Sequence, residues 1–372
     1  MVEIQTQSVH GEPSFSISSD STTAWMTLRG NHISPVIFHL GSRDFSPYSC
    51  APWAPGEHQN IGPLLDVLRG DFWCLPFGDS PVGPAHGETA CESWTIVSVT
   101  TSSVYLRIDA GDTGARVNKM VSVRDGQSAL FQEFTISGLN GAYSYGTHPI
   151  LDLSPFPAGT ARVSTGSLHW ASVVPGIFSN PDTGETQILN PGAKFEDLAV
   201  IPMINGGNLD LSRYPTATAH EDLVMLAQKG DGHQLGWTAV SVPGHAWIAL
   251  KNIQDFPSTL LWISNGGRTQ IPWQGRHVGR LGIEDVCSYF HRGLVESRQD
   301  LLSHMGIPTT RDFRKSETTT LRSLQFAVDT PTGFGRVCAI DTPAAGKIRV
   351  IDEEGRSVES QIDWEFVLPT KN

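Results

Sequence analysis

A chain of 372 residues with 38 acidic against 26 basic side chains carries a formal net charge of −12, which argues against nucleic acid or an anionic membrane surface as its main partner. Hydrophobic residues make up 39 % and charged residues only 17 %, so a sizeable core can be buried. The 37 Gly, 24 Pro and 10 Trp favour many short strands and turns over long helices. The cysteines (Cys50, Cys74, Cys91, Cys287 and Cys338) are odd in number and lack a CxxC, so they match neither a zinc nor a disulfide framework. Buried free thiols in a reducing compartment are expected instead. The first 20 residues have no basic-then-apolar leader pattern, and no apolar run reaches the length of about 18 residues that a membrane span needs. A soluble cytoplasmic protein is the expectation.

In chain order, residues 1–20 are polar and expected to be loosely held. Thr23–Arg29 and His32–Leu40 are β-type runs flanking the turn pair Gly30-Asn31. Residues 41–63 form an irregular, aromatic-containing stretch that reads as a pocket wall. Arg69–Trp94 then mixes Phe72, Trp73, Leu75 and Phe77 with Gly70, Pro76, Gly78, Pro81, Gly83, Pro84 and Gly87. The Gly and Pro residues rule out a helix, and the aromatic rings rule out a soft linker. It reads as a rigid loop that holds Arg69, Asp71, His86 and Glu88 over a pocket.

Period-two runs follow at Trp94–Thr100, Ser103–Ala110, Ala115–Val123 and Ala129–Ile136, predicting an antiparallel meander. Thr147–Leu153 is a further strand, and residues 154–220 read as long loops. Strands resume at Asp222–Gln228, Gly236–Val242, Ala246–Lys251, Ser258–Ser264 and Arg280–Tyr289. Leu294–Met305 is the one helical stretch, stopped by Gly306 and Pro308. Runs at Ser323–Val328, Gly335–Asp341, Lys347–Asp352 and Gln361–Leu368 close the chain. With no linker and no repeat, residues 21–372 are expected to be one all-β domain, with 310–372 as extra C-terminal strands packed on it.

Arg69, His86, His148 and Glu284 stand out chemically. Each lies beside a Gly, a Pro or a strand end, where a side chain projects from a sheet into a cleft. Glu284 sits in an otherwise apolar strand, where a carboxylate is costly unless hydrogen-bonded or used. Burial would raise its pKa toward the range of a general base. The plain alternative is a strand-end Glu paired with Arg280 or Arg292. Asp285 is its neighbour on the opposite face, and periodicity does not say which of the two points inward. His86 and His148 lack metal-site spacing, so acid–base work is the stronger functional reading, against the alternative of ordinary core or surface histidines. Trp53, Trp73, Trp94, Trp262 and Trp273 are candidate stacking platforms for a sugar ring. Asp44, His58, Asp71, Asn265 and Arg276 are candidates for reading its hydroxyls. The carboxylates Asp71, Asp79, Glu88 and Glu92 leave a glycosidase reading open, though nothing pairs them.

Four motifs, in order, resemble the galactose mutarotase-like superfamily of aldose 1-epimerases and their relatives. RGDFWCLPFG (Arg69–Gly78) is similar to the Arg-Gly-Gly…Pro-x-Phe-Gly segment of the hexose-phosphate epimerase branch. His86–Glu88 with Trp94 resembles the His-Gly…Trp element. GTHPILDL (Gly146–Leu153) is similar to the strand bearing the second family histidine. LGIED (Leu281–Asp285) is similar to the late strand with the family glutamate. The resemblance implies a β-supersandwich of large antiparallel sheets and an enzyme that interconverts the α and β anomers of a sugar. It implies Glu284 as general base and His148 as general acid, with Arg69 and His86 binding the sugar and no cofactor or metal. Asp71, Trp262 and Asn265 complete the expected binding set. Thr147, Asp285 and Glu88 depart from the family pattern; Glu88 stands on the way to where a relative carries a phosphate-binding Arg. The expected ligand is therefore a free, non-phosphorylated sugar. The alternatives are a non-catalytic carbohydrate-binding protein on the same scaffold and a protein related to glycan lyases or hydrolases.

Overall fold

A computed structural model describes residues 5–81 and 83–369. It is an all-β protein built from large antiparallel sheets. A nine-stranded sheet runs in the order Arg213–Tyr214, Ala161–Thr165, Leu235–Val242, His245–Asn252, Thr319–Asp329, Gln127–Ser137, Ala115–Arg124, Ser103–Ala110 and Thr95–Val99. Its last four strands in that list are the predicted meander, paired Ala110↔Ala115 at one hairpin and Gln127↔Arg124 at the next. A seven-stranded sheet orders Leu168–Val173, His220–Gln228, Ser258–Asn265, Arg280–Cys287, Tyr145–Thr147 and Trp73–Cys74, with Ile150–Asp152 also paired to Arg280–Cys287. The two sheets face each other across the main core, to which Val163, Trp247 and Ala249 contribute from one side and Val224, Leu261 and Ile283 from the other. Alternating apolar positions on each strand supply the facing surfaces.

Strands buried on both faces hold polar groups that must be paired. Lys251 Nζ, from the nine-stranded sheet, reaches Asp285 Oδ1 at 2.9 Å, Thr259 Oγ1 at 2.6 Å and the Ser258 carbonyl at 2.8 Å, all on the seven-stranded sheet. This settles the Glu284–Asp285 ambiguity. Asp285 points into the sandwich and pairs with Lys251, so Glu284 projects from the opposite face.

Four expectations are corrected. Residues 1–20 are not loose where the structure describes them, since Gln7–Val9 and Glu12–Ser18 begin a five-stranded sheet with Thr22–Thr27, Ile33–Leu40 and Arg43–Phe45; residues 1–4 lie outside the described residues. The 310–372 region is not wholly an addition, because Thr319–Asp329 is an inner strand of the nine-stranded sheet. Val337–Ala344, Lys347–Asp352 and Ser357–Gln361 form a separate three-stranded sheet, whose Val337, Ile348 and Val350 cover Phe131, Ile248 and Phe326 on the outer face of the nine-stranded sheet. The predicted helix Leu294–Met305 is an α-turn, Gly293–Ser297, and a separate 3₁₀ turn, Ser303–Met305. Between them Asp300 adopts a left-handed φ of 51°, which ends helical propagation. Gln361–Leu368, expected as a strand, holds a 3₁₀ turn at Trp364–Val367.

Cys74, Cys91 and Cys287 are buried free thiols as expected, Cys50 is half-buried, and Cys338 is exposed. No helix among the described residues is long and apolar enough to cross a membrane.

Candidate active site

Glu284 occupies the middle of the Arg280–Cys287 strand, on the face turned away from Asp285. Gly282, two residues earlier on that face, is opposite Trp262 in the neighbouring strand. A Cβ on Gly282 would lie 2.7 Å from Glu284 Oε1 and 3.0 Å from Trp262 Cβ. The glycine thus makes the space that the carboxylate fills.

His148 interrupts the strand edge beside it, between Tyr145–Thr147 and Ile150–Asp152. Its backbone N–H donates to Asp71 Oδ1 at 2.9 Å, and Asp71 Oδ2 accepts from Gln132 at 2.6 Å and Gln325 at 2.7 Å. The His148 ring stacks on Phe72, with centroids 4.5 Å apart, and Phe72 stacks on His32 at 4.3 Å. These contacts fix the ring so that Nε2 stands 3.4 Å from Glu284 Oε1.

His86 comes from the Gly- and Pro-rich loop. Its φ of 63° and that of Gly87, 75°, are both left-handed. Gly87 is required there, because a Cβ would sit 2.2 Å from the Leu75 carbonyl oxygen. The His86 N–H donates to the Gly78 carbonyl at 2.8 Å, and the Gly78 N–H donates back to His86 Nδ1 at 3.3 Å. A neutral ring that accepts at Nδ1 carries its proton on Nε2. The His86 and His148 rings meet edge to face, 5.0 Å between centroids.

Burial dominates the electrostatics. It holds the Glu284 carboxyl well above the usual carboxylate range. It holds His148 well below the usual imidazole value, aided by the neighbouring His86 and His32, and pushes His86 down to about 4. Both members of the Glu284–His148 pair resist charge, so near neutrality the pair is disposed to hold one proton between them.

Glu284, His148, His86 and Trp262 line one cavity of ≈ 420 Å³, within the usual range for a small-ligand site. Its wall is largely apolar, including Leu64, Leu68, Phe72, Phe178, Leu223 and Trp273, and Asp79, Arg268 and His291 are its other polar side chains. The predicted pocket wall at 41–63 contributes only Ile61, Gly62 and Pro63. Among the described residues no group of three or more His, Cys, Asp or Glu side chains is arranged to hold a metal ion.

Three expected binding residues sit elsewhere. Arg69 donates to the Val9 carbonyl at 2.8 Å and the His10 carbonyl at 3.3 Å, tying down the N-terminal hairpin. Asp71 is fully buried on the bonds described above and positions His148 rather than facing the cavity. Asn265 donates to the Thr216 and Thr218 carbonyls and accepts from the Gly279 N–H at 2.9 Å, shaping a turn. Arg69 and Asn265 bond mainly to backbone and Asp71 to the His148 N–H and two glutamine amides, and none of the three lines the cavity. Glu88 also faces away, accepting from the Gly111 N–H at 2.6 Å, and so cannot repel a ligand in the cavity.

Arg268 was missed by the sequence reading. It directly follows Asn265-Gly266-Gly267, at the end of the strand that carries Trp262. Its guanidinium lies 4.8 Å from the Trp273 ring centroid, 5.6 Å from Phe178 and 5.8 Å from Trp262. Its Nε is 3.1 Å from Glu185 Oε1 and 3.8 Å from Glu221 Oε2. Glu221, behind Trp262, accepts from Trp262 Nε1 at 2.9 Å and from Ser264, and burial raises its carboxyl to about 7.

The likenesses to known proteins are structural. No family model and no curated protein matches the chain. Among solved structures, a protein of Escherichia coli named "putative aldose 1-epimerase" is similar at TM-score 0.58 and 13 % identity, covering 85 % of this chain and 99 % of that one. A galactose mutarotase related enzyme from Lactobacillus acidophilus matches at TM-score 0.54 and 10 % identity over 85 % of this chain and 98 % of that one. A galactose mutarotase-like protein from Lactobacillus casei matches at TM-score 0.53 and 12 % identity over 84 % and 99 %. At such identities the likeness is one of fold.

Proposed function

We propose that this chain, which has the galactose mutarotase-like fold, is an aldose 1-epimerase-like enzyme acting on a free, non-phosphorylated sugar. The observation that carries the proposal is Glu284 Oε1 at 3.4 Å from His148 Nε2 on one cavity wall. Anomer exchange needs one proton taken from the C1 hydroxyl and one delivered to the ring oxygen. The bond from C1 to the ring oxygen breaks as the C1 carbonyl forms. Rotation about C1–C2 presents the other face, and the two transfers run in reverse to close the ring.

A Glu–His pair that holds one proton supplies one base and one acid for this sequence. In the productive arrangement Glu284 is the carboxylate that takes the C1 proton and His148 the imidazolium that serves the ring oxygen. Burial makes that charged arrangement costly in the empty site. The hydroxyls of a bound sugar would solvate the carboxylate and offset the cost. Each positioned transfer is worth roughly 10²–10⁴-fold. In this reading His86 Nε2–H donates to a sugar hydroxyl, and Trp262 offers an apolar face to the ring.

The proposal is tested by NMR magnetisation exchange between the two anomeric proton signals of a panel of aldoses. Catalysed exchange is the expected result. Saturable sugar binding with no catalysed exchange on any sugar would support the carbohydrate-binding reading instead.

A further inference from the structure

Arg268 is the only Arg or Lys among the described residues lining the cavity. A guanidinium has five N–H donors in a planar fork. Among the described residues, none of these donors makes a hydrogen bond within the protein: Nε is buried and lacks an acceptor in bonding geometry, despite the proximity of Glu185. The terminal nitrogens are not sealed off with it. The aromatic faces of Trp273, Phe178 and Trp262 hold the group in place but accept no conventional hydrogen bond. The result is a guanidinium that borders the cavity, is ion-paired through Nε with Glu185, and has no hydrogen-bond acceptor for its terminal nitrogens among the described residues.

We infer that the substrate carries a carboxylate, as a hexuronic acid does, and that Arg268 grips it through its terminal nitrogens. This rests on the 1-epimerase reading and names its substrate class. The local charge balance selects a carboxylate over a phosphate. One guanidinium, already close to Glu185 and Glu221, shares the cavity lining with Asp79. A monoanion whose two oxygens match the fork fits that balance. A phosphate dianion would meet one cation among several carboxylates. The largely apolar remainder of the wall provides few other partners for a polar ligand, which leaves orientation to the polar groups of the site.

The test compares D-glucuronate and D-galacturonate with D-glucose, D-galactose and glucose 6-phosphate, using anomeric exchange for turnover and calorimetry for binding. The wild type is expected to favour a uronate over its neutral counterpart by about 10- to 100-fold in kcat/KM, the range of a charge-assisted hydrogen-bonded contact. Arg268→Gln should bring that ratio close to one. Arg268→Lys, which keeps the charge but loses the fork, should recover only part of it, and thermal melts confirm that both variants fold. Neutral hexoses turned over as well as uronates, or a preference for the 6-phosphate, would overturn this inference while leaving the 1-epimerase reading intact. Arg268-dependent uronate binding without anomeric exchange would support the inference and overturn the enzymatic reading. Neither binding nor exchange with any uronate would overturn the inference.

Discussion

Gly282→Ala separates chemistry from stability at the proposed site. The strand backbone at Gly282 is extended, so alanine brings no backbone strain. Its methyl would sit 2.7 Å from Glu284 Oε1, 3.0 Å from Trp262 Cβ and 3.3 Å from Trp262 Cε3. The closest atom is the tip of a flexible side chain, which yields at small cost. Trp262 must give by a few tenths of an ångström, and overpacking of this kind costs about 1–2 kcal/mol. The carboxylate, by contrast, must leave the position that puts it 3.4 Å from His148 Nε2. A shift of about 1 Å in a reacting group costs on the order of 10²-fold in rate. The expected outcome is a folded protein, melting only a few degrees lower, whose anomer exchange falls about 100-fold, mainly in kcat. Circular dichroism melts and NMR exchange on the same sample give both numbers. Full activity in a stably folded Gly282→Ala protein would refute the reasoning, because Glu284 would then not need its observed place.

Lys251→Met leaves Asp285 as an uncompensated buried charge and should cost about 3–5 kcal/mol by urea unfolding, whereas a Lys251→Met/Asp285→Leu pair should recover most of it. His32 is buried between the Ala90 carbonyl and Phe72 and pushed down to about 3, so its neutral form stabilises the fold above the unfolded value near 6.5. That contribution is lost as pH falls. The stability of wild type relative to His32→Gln should therefore shrink by about 1.4 kcal/mol per pH unit between roughly pH 6 and 4. Anomer exchange should follow a bell-shaped pH profile, since only the singly protonated Glu284–His148 pair supplies both an acid and a base. A profile that rises steadily to high pH would mean that a lone base suffices.

Much of the sheet architecture was legible because period-two burial is a local signal. Ser103–Ala110 and Lys347–Asp352 match their predicted bounds residue for residue. Gln7–Val9 was not legible, because a short polar strand at the edge of a sheet is specified by its partner rather than by its own pattern, and the alternation of Phe15 and Ile17 in the inner strand Glu12–Ser18 was hidden by the polar residues around it. The same distinction divides the candidate site. His86, His148 and Glu284 carry motif context, and the structure brings them to one cavity. Arg69 has similar local context, yet its partners are the carbonyls of Val9 and His10, some 60 residues away in sequence. Asp71 is likewise taken up by the His148 N–H and the Gln132 and Gln325 amides, and Asn265 by the Thr216 and Thr218 carbonyls. Arg268 reaches the cavity through a turn whose glycine, Gly267, would place a Cβ 2.3 Å from the His220 carbonyl carbon. That close approach of two chain segments leaves no trace in the local sequence beyond the glycine itself.

The most direct test of the central claim is the rate of anomer exchange in Glu284→Gln against wild type, on the best substrate of the aldose and uronate panel. The substitution keeps the shape of the side chain and removes its ability to take a proton. A fall of at least about 100-fold is expected, with sugar binding retained by calorimetry. Exchange within a few-fold of wild type would contradict that claim.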